Sequence, residues 1–196
     1  MDNFPLVLAS GNQGKIGEFK KLLDDFPFDL LTQPVGFEIE ETGNTFSENA
    51  RIKAIAVSQA TGNLSLADDS GLSVEALGGA PGIYSSRYAN SDKERIEKLL
   101  AELKPFQNRK AKFECAICMA SGDKALIEVS GFCEGLITQT PKGKNGFGYD
   151  PIFEVSGLGE TYAEMDQEKK KHIGHRGNAF KLLIPKLKQL LDSMKK

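Results

Sequence analysis

Four groups of residues in this 196-residue chain have the types and spacing to do chemistry. Ser10-Gly11-Asn12-Gln13-Gly14-Lys15 lies between an apolar run and a helical pattern. Glycines there let backbone N–H groups approach an anion, a helix N-terminus adds positive potential, and Lys15 adds a full charge. The spacing is not that of a Walker A loop, because Gly11 and Gly14 are too close and Ile16 stands where Ser or Thr would hold magnesium. The loop is therefore either a phosphate cradle of another kind or a plain glycine turn into a helix.

The second group is acidic: Glu40-Glu41 and Asp68-Asp69. Carboxylates at the end of an apolar strand can hold a hard cation such as Mg²⁺, which keeps several waters and bridges to phosphates. One of them could instead take a proton from an attacking water. Asp68-Asp69-Ser70-Gly71 is equally ordinary turn chemistry, and a solvated turn is the competing expectation.

Asn145-Gly146-Phe147-Gly148-Tyr149-Asp150-Pro151 forms the third group. Aromatic rings in a glycine loop suit stacking on a flat base, and Asp150 could accept its hydrogen bonds. The alternative is a loop whose Phe147 plugs the core. The fourth group, Lys169-Lys170-Lys171-His172-Ile173-Gly174-His175-Arg176-Gly177, holds both histidines of the chain. His172 and His175 could share a helix face, but no HExxH order accompanies them, which argues against zinc. Arg176 is a rigid donor fork suited to carbonyl or phosphate oxygens. A charge run of this kind is otherwise a solvated helix end. Taken together, a phosphate loop, an acidic metal corner, an aromatic shelf and a basic carbonyl reader describe a nucleoside triphosphate site that uses magnesium.

The elements that must position these groups follow from periodicity. Leu6–Ala9 reads as a buried strand, followed by a helix with Ile16, Phe19, Leu22 and Leu23 on one face, and Phe28–Thr32 as a second strand. Thr45-x-x-Glu48 is a capping box opening a helix to about Ala60, closed by Gly62. Leu64–Ala67 is a strand leading into the Asp68–Gly71 turn. Ser91-x-x-Glu94 caps a helix that stops at Lys104-Pro105. Lys110–Ser121 and Lys124–Ser130 form a hairpin about Gly122-Asp123, with Gly131–Thr138 able to extend it. Ile152–Val155 is a short strand, Glu164–His172 a helix, and Gly177 onward a helix kinked or interrupted near Pro185. The order suggests an α/β fold, a mixed sheet covered by helices.

Composition narrows the classes. The chain has 27 acids and 25 bases, a net charge of −2, which gives no global reason to bind a nucleic-acid polymer or an anionic membrane. The sum hides an asymmetry. Residues 169–196 carry nine Lys/Arg against one acid, net +8, and residues 1–168 carry 16 bases against 26 acids, net −10. Lys186, Lys188, Lys195 and Lys196 read as solvated. Cys115, Cys118 and Cys133 are too few, and odd in number, for a disulfide framework, which fits a reducing compartment. Cys115-x-x-Cys118 lies in a strand pattern, where residues three apart point to opposite faces, so buried thiols are expected rather than a metal site. Met1-Asp2-Asn3-Phe4-Pro5 has no basic signal region and the apolar run after it is short, so a cytoplasmic location is expected.

Five ordered blocks over nearly the whole chain resemble the inosine triphosphate pyrophosphatase family. They are Ser10–Lys15; Glu41-Thr42-Gly43 with Asn49-Ala50 and Lys53; Ala67–Leu72 with Gly78–Ser85; Phe147–Pro151; and His175-Arg176-Gly177. The resemblance implies a single domain over residues 1–196, with two lobes around a long curved mixed β-sheet flanked by helices, the active-site cleft between the lobes, and a homodimer. It implies hydrolysis of the non-standard purine triphosphates ITP, dITP, XTP and dXTP to monophosphate and pyrophosphate. It also implies Asp69 as general base; Glu41, Asp69 and Asp68 for Mg²⁺; and Ser10, Gly11, Asn12, Gln13, Gly14, Lys15, Lys53 and Ser70 for the triphosphate. Phe147, Gly148, Tyr149, Asp150, Lys170, His175 and Arg176 are implied for the base and sugar. Lys170 is chosen among Lys169–Lys171 by its spacing before His175. Gly174 departs from the family, which usually carries serine there.

On this reading water attacks the α-phosphorus, and Arg176 and His175 select a 6-keto purine over adenine. Two rivals remain. A Maf-like nucleotide pyrophosphatase opens with a Ser-x-x-Arg-Arg-type loop, against which Gly11–Lys15 argues. A non-catalytic nucleotide sensor would have no need of Glu41, Asp68 and Asp69.

Overall fold

The computed structural model describes residues 3–194, so the readings placed on Met1, Asp2, Lys195 and Lys196 fall outside the described residues. The strands are β1 (Phe4–Leu8), β2 (Phe28–Thr32), β3 (Leu64–Val74), β4 (Lys110–Ser121), β5 (Lys124–Ile137) and β6 (Phe153–Val155). The helices are α1 (Gln13–Leu22), α2 (Phe46–Thr61), α3 (Asp92–Glu102), α4 (Gln167–Ile173) and α5 (His175–Met194), with short 3-10 turns at Glu75–Leu77, Gly82–Arg87 and Asp150–Ile152. The strands form one mixed sheet in the order β2-β1-β3-β4-β5-β6. β1 runs parallel to β2, pairing Leu6 with Leu30, and parallel to β3, pairing Leu6 with Leu64. β6 is antiparallel to β5, with Leu136 opposite Glu154.

The chain divides into two compact units. The first comprises Met1–Asp69, Cys115–Gly131 and Gly177–Lys196; the second comprises Ser70–Glu114 and Phe132–Arg176. Each has its own apolar core. In the first unit Leu6, Leu8, Ile16, Phe19, Phe28, Leu66, Ile117, Met119, Phe180, Leu183 and Leu187 pack together. Leu6, Val7 and Leu8 are all buried in succession, as in a parallel strand covered on both faces. On α5 the buried Phe180, Leu183, Leu187 and Leu191 repeat at helical spacing. Leu183 and Leu187 are fully buried and each contributes roughly 1.5–3 kcal/mol. Gly131 of β5 permits the approach of α5: a Cβ there would strike the backbone N of Ala179 and come within 2.6 Å of its Cα. In the second unit Leu72, Leu99, Leu103, Phe113, Phe153, Tyr162 and Met165 form the core. Phe113 meets Phe153 edge-on at 4.7 Å and stacks near Tyr162 at 5.6 Å.

Expected boundaries move at three places that bear on the site, while β1 (Phe4–Leu8 rather than Leu6–Ala9) and β6 (Phe153–Val155 rather than Ile152–Val155) shift by one or two residues. Asp68-Asp69-Ser70-Gly71 is not a turn, because β3 runs straight through it with Asp68 and Asp69 buried. β3 pairs with β1 over Leu64–Leu66 and lies next to β4 in the sheet order, and the strand continues through these residues against their turn propensity. α4 begins at Gln167 rather than Glu164, because Glu164 accepts from the Thr161 backbone N–H (2.8 Å) and hydroxyl (3.0 Å), closing a turn, and Asp166 supplies the N-cap. α5 begins at His175, after Gly174 adopts an extended conformation that ends α4, so His172 and His175 stand on different helices. Pro185 lies inside α5, which continues past it.

Candidate active site

In the first unit, α1 is set by Asn12, whose side-chain oxygen accepts from the Lys15 backbone N–H at 3.2 Å. Ser10 Oγ in turn accepts from the Asn12 N–H at 3.2 Å. These two bonds shape the Ser10–Lys15 loop, with Gln13 and Gly14 opening the helix and Gly11 in open space. Lys15 extends to Asp68, its Nζ 3.0 Å from Oδ2, with the Asp68 side chain 1% exposed. A buried carboxylate requires such a partner, since an unpaired one would cost several kcal/mol.

Asp69 is the centre of a second cluster. Lys53 Nζ lies 3.2 Å from Asp69 Oδ1 and 2.8 Å from Glu41 Oε1. Asn49 Nδ2 donates to the other oxygen, Asp69 Oδ2, at 3.2 Å. Asn49 and Lys53 are one helical turn apart on α2, so one face of that helix presents both donors. Burial raises the Asp69 carboxyl above its ordinary range; Lys53 and Lys15 pull it down, Glu41 pushes it up, and the net shift is upward. Burial works against the Lys53 charge, but Asp69, Asp68 and Glu41 outweigh it and Lys53 stays above the ordinary lysine range. Lys53 is therefore charged at neutral pH.

Cation binding can be tested on these atoms. Among the described residues no group of three or more His, Cys, Asp or Glu side chains is placed to hold a metal ion. Mg²⁺, however, needs only one or two carboxylates when substrate phosphates complete its shell. Glu41 and Asp69 already place one oxygen each around a single cationic atom, Lys53 Nζ. Two hard oxygens that share one cation suit Mg²⁺. The three cysteines are free thiols and all are buried. Burial pushes the Cys118 thiol up to about 12, the opposite of what a metal-binding or reactive thiolate needs.

In the second unit, Arg176 is 5% exposed and donates from its guanidinium to Ser70 Oγ at 2.8 Å. The Arg176 guanidinium lies 5.5 Å from the centre of the Phe147 ring and Lys170 Nζ lies 5.1 Å from the same ring. Lys170 also pairs with Asp150, Nζ to Oδ2, at 2.6 Å. Lys169 turns instead to Glu160, at 2.7 Å. Asp150 Oδ2 accepts from the Phe147 backbone N–H at 3.0 Å, which fixes the loop that carries the ring. Gly146 is required there: its φ is +78° and a Cβ would collide with Asp150 Oδ2. Asp92, the first residue of α3, accepts from the Gly148 N–H at 2.7 Å. Tyr149 is buried and donates to the Ser85 carbonyl at 2.9 Å, so this aromatic belongs to the core. His175 is 3% exposed and stacks on Phe113 at 4.7 Å with the rings 13° apart. Its backbone N–H donates to the Tyr162 hydroxyl at 3.3 Å. At Gly174 a Cβ would come within 2.6 Å of the Lys170 carbonyl oxygen, so the local backbone suits glycine rather than the serine usual in the resembling family.

Asn49 carries a site contact that the sequence reading did not assign, although the residue falls inside one of the matched blocks. A buried polar residue four before a lysine on an amphipathic helix was the available signal. Asp92 offered none, since an acid opening a capped helix is ordinary.

The Ham1 family model matches residues 6–186. The dITP/XTP pyrophosphatase of Prochlorococcus marinus (strain NATL1A) is 91% identical over 196 residues, 100% of both chains. That of Synechococcus sp. (strain CC9311) is 57% identical over 194 residues, 98% of this chain and 94% of the relative. A HAM1 protein from Coxiella burnetii superposes with a TM-score of 0.86 at 43% identity, covering 95% of this chain and 99% of that one. The Ham1 protein of Staphylococcus aureus gives 0.85 at 44% identity, covering 94% and 98%. By a match that spans almost all of its length, the chain belongs to the Ham1 family.

Proposed function

We propose that residues 1–196 act as one catalytic domain that hydrolyses ITP, dITP, XTP and dXTP to the nucleoside monophosphate and pyrophosphate. The observation that carries this reading is local. Asp69, with Glu41 sharing its lysine, is followed in β3 by Ser70, whose hydroxyl receives Arg176. The acids and lysines suited to a triphosphate lie in the first unit, and the donor suited to a purine carbonyl lies in the second. The full-length likeness to dITP/XTP pyrophosphatases supports the same substrate class.

In the proposed reaction Asp69 takes a proton from water while the water oxygen forms a bond to the α-phosphorus. The α–β anhydride bond breaks and pyrophosphate leaves with its electron pair. The net upward shift of Asp69, set first by its burial, makes it a stronger base than an ordinary carboxylate. Ser10–Lys15, Lys53 and Ser70 neutralise and orient the triphosphate. Glu41 and Asp69, with Asp68 beside them, would hold Mg²⁺, which supplies further neutralisation of phosphate charge when bound. Phe147 supports the base, and Gly148, Tyr149, Asp150 and Lys170 shape its surroundings. Arg176 and His175 donate to the 6-keto oxygen; adenine offers an amino donor there and would leave buried donors unpaired. The protein works in the cytoplasm as a homodimer, a state that light scattering of the purified protein reads directly. The buried free thiols fit a reducing compartment.

The test is a comparison of ITP, XTP, GTP and ATP with and without Mg²⁺, scoring pyrophosphate against orthophosphate. Pyrophosphate from ITP and XTP, with ATP slow, is expected. Orthophosphate as product, or tight ITP binding without turnover, contradicts the proposal.

A further inference from the structure

We propose that Asn49 is a positioning residue for catalysis, holding the Asp69 carboxylate at the angle from which it activates water. The inference rests on the reading of Asp69 as the general base and adds a second residue to it. Asn49 is fully buried and uses both ends of its amide. Its nitrogen donates to Asp69 Oδ2 at 3.2 Å, and its oxygen accepts from the Gly43 N–H at 2.8 Å. The two contacts dictate the orientation of the amide. If it were reversed, its NH₂ would face the Gly43 donor and its oxygen would face a carboxylate, so both bonds would be lost.

Lys53, four residues on, holds Asp69 Oδ1. The two oxygens of Asp69 are thus gripped by successive turns of α2, and rotation of the carboxylate about its Cβ–Cγ bond would break a bond on each side. The oxygen end of Asn49 reaches the chain two residues after Glu41, so the same amide ties Asp69 to the segment bearing the neighbouring acid. Gly43 is shaped for this: a Cβ there would come within 2.7 Å of Asn49 Oδ1 and 2.6 Å of Glu48 Cβ. A lysine alone, as a mobile point charge, would neutralise Asp69 without fixing its plane. The amide supplies the direction.

The test uses the full chain with three variants, Asn49→Ala, Asn49→Asp and Asp69→Asn. ITP turnover is measured per folded molecule, together with thermal unfolding and the Kd of an α,β-imido ITP analogue without metal. Misplacing a reacting group by about 1 Å costs on the order of 10²-fold, so kcat of N49A is expected to fall by roughly 10- to 100-fold. KM and the analogue Kd should stay within about twofold, because Asn49 is assigned to the base rather than to substrate binding. N49D keeps the shape of the side chain but turns an acceptor toward a carboxylate, so its kcat should be lower than that of N49A even where its melting temperature is higher. A packing role predicts the reverse order, since Asp fills the space that Ala vacates. Wild-type kcat in both Asn49 variants with D69N inactive, or an N49D faster than N49A, overturns the inference and leaves Asp69 as base. Near wild-type turnover in D69N overturns the underlying reading instead.

Discussion

Replacing Arg176 by alanine should change which purine the protein prefers more than it changes overall activity. The guanidinium is 5% exposed, bonded to Ser70 Oγ at 2.8 Å and 5.5 Å from the centre of the Phe147 ring. A hydrogen bond from a buried charged donor to a carbonyl is worth about 1.5–3 kcal/mol. Losing it should lower kcat/KM for ITP by roughly 10- to 150-fold. For ATP the effect has the opposite sign. Its 6-amino group cannot accept from the guanidinium, so in the native protein ATP binding leaves a buried donor unsatisfied, and R176A removes that penalty. The ATP rate should hold or rise, and the ITP/ATP ratio should fall by about 10-fold at least. Steady-state pyrophosphate release on both nucleotides reads the ratio directly. Arg176→Lys separates charge from geometry, because an ammonium keeps the charge and loses the planar fork; part of the ITP loss should persist. If ITP and ATP fall by the same factor in R176A, Arg176 does not read the 6-position and the selectivity argument fails.

Three further outcomes follow from the packing. Thr45 Oγ1 accepts from the Glu48 N–H at 3.1 Å, so Thr45→Ala should destabilise the protein by about 1 kcal/mol in urea titration; a change near zero would show the cap to be dispensable. Gly131→Val should be far more damaging, by upward of about 3 kcal/mol, because its Cβ meets the Ala179 backbone, which cannot give way as a flexible side chain could. Folding with a wild-type melting temperature would refute that close approach. Cys118, buried and with its thiol held up to about 12, should resist alkylation at pH 8 in the native state and react promptly in urea; rapid native labelling would show the site to be open.

Much of the fold was legible because local chemistry and tertiary packing agree. The capping box at Thr45 and Glu48, together with Gly62, marks α2; the structure spans Phe46–Thr61 with Gly62 at φ +70°. The run Phe28–Thr32 is β2 to the residue. Legibility failed where the two disagree. Asp68-Asp69-Ser70-Gly71 has turn composition, yet it continues β3 beyond the Leu64–Leu66 pairing with β1, and the acids can be buried because Lys15 and Lys53 arrive from other elements. No local pattern announces those partners. In the same way Phe147 and Tyr149 look alike on paper. Only the structure separates a ring within reach of two cations from one whose hydroxyl is tied to Ser85 in the core. The third boundary, at Gly174, turned on its extended backbone ending one helix before the next begins.

The central claim is water attack at the α-phosphorus with Asp69 as base. It is tested most directly by hydrolysing ITP in ¹⁸O-labelled water and weighing both products, with Asp69→Asn alongside. The expected result is one labelled oxygen in the inosine monophosphate, none in the pyrophosphate, and a loss of about 10²- to 10⁴-fold in D69N. Label in pyrophosphate or orthophosphate would place the attack at another phosphorus, and a D69N variant that turns over at the wild-type rate would remove Asp69 from the chemistry.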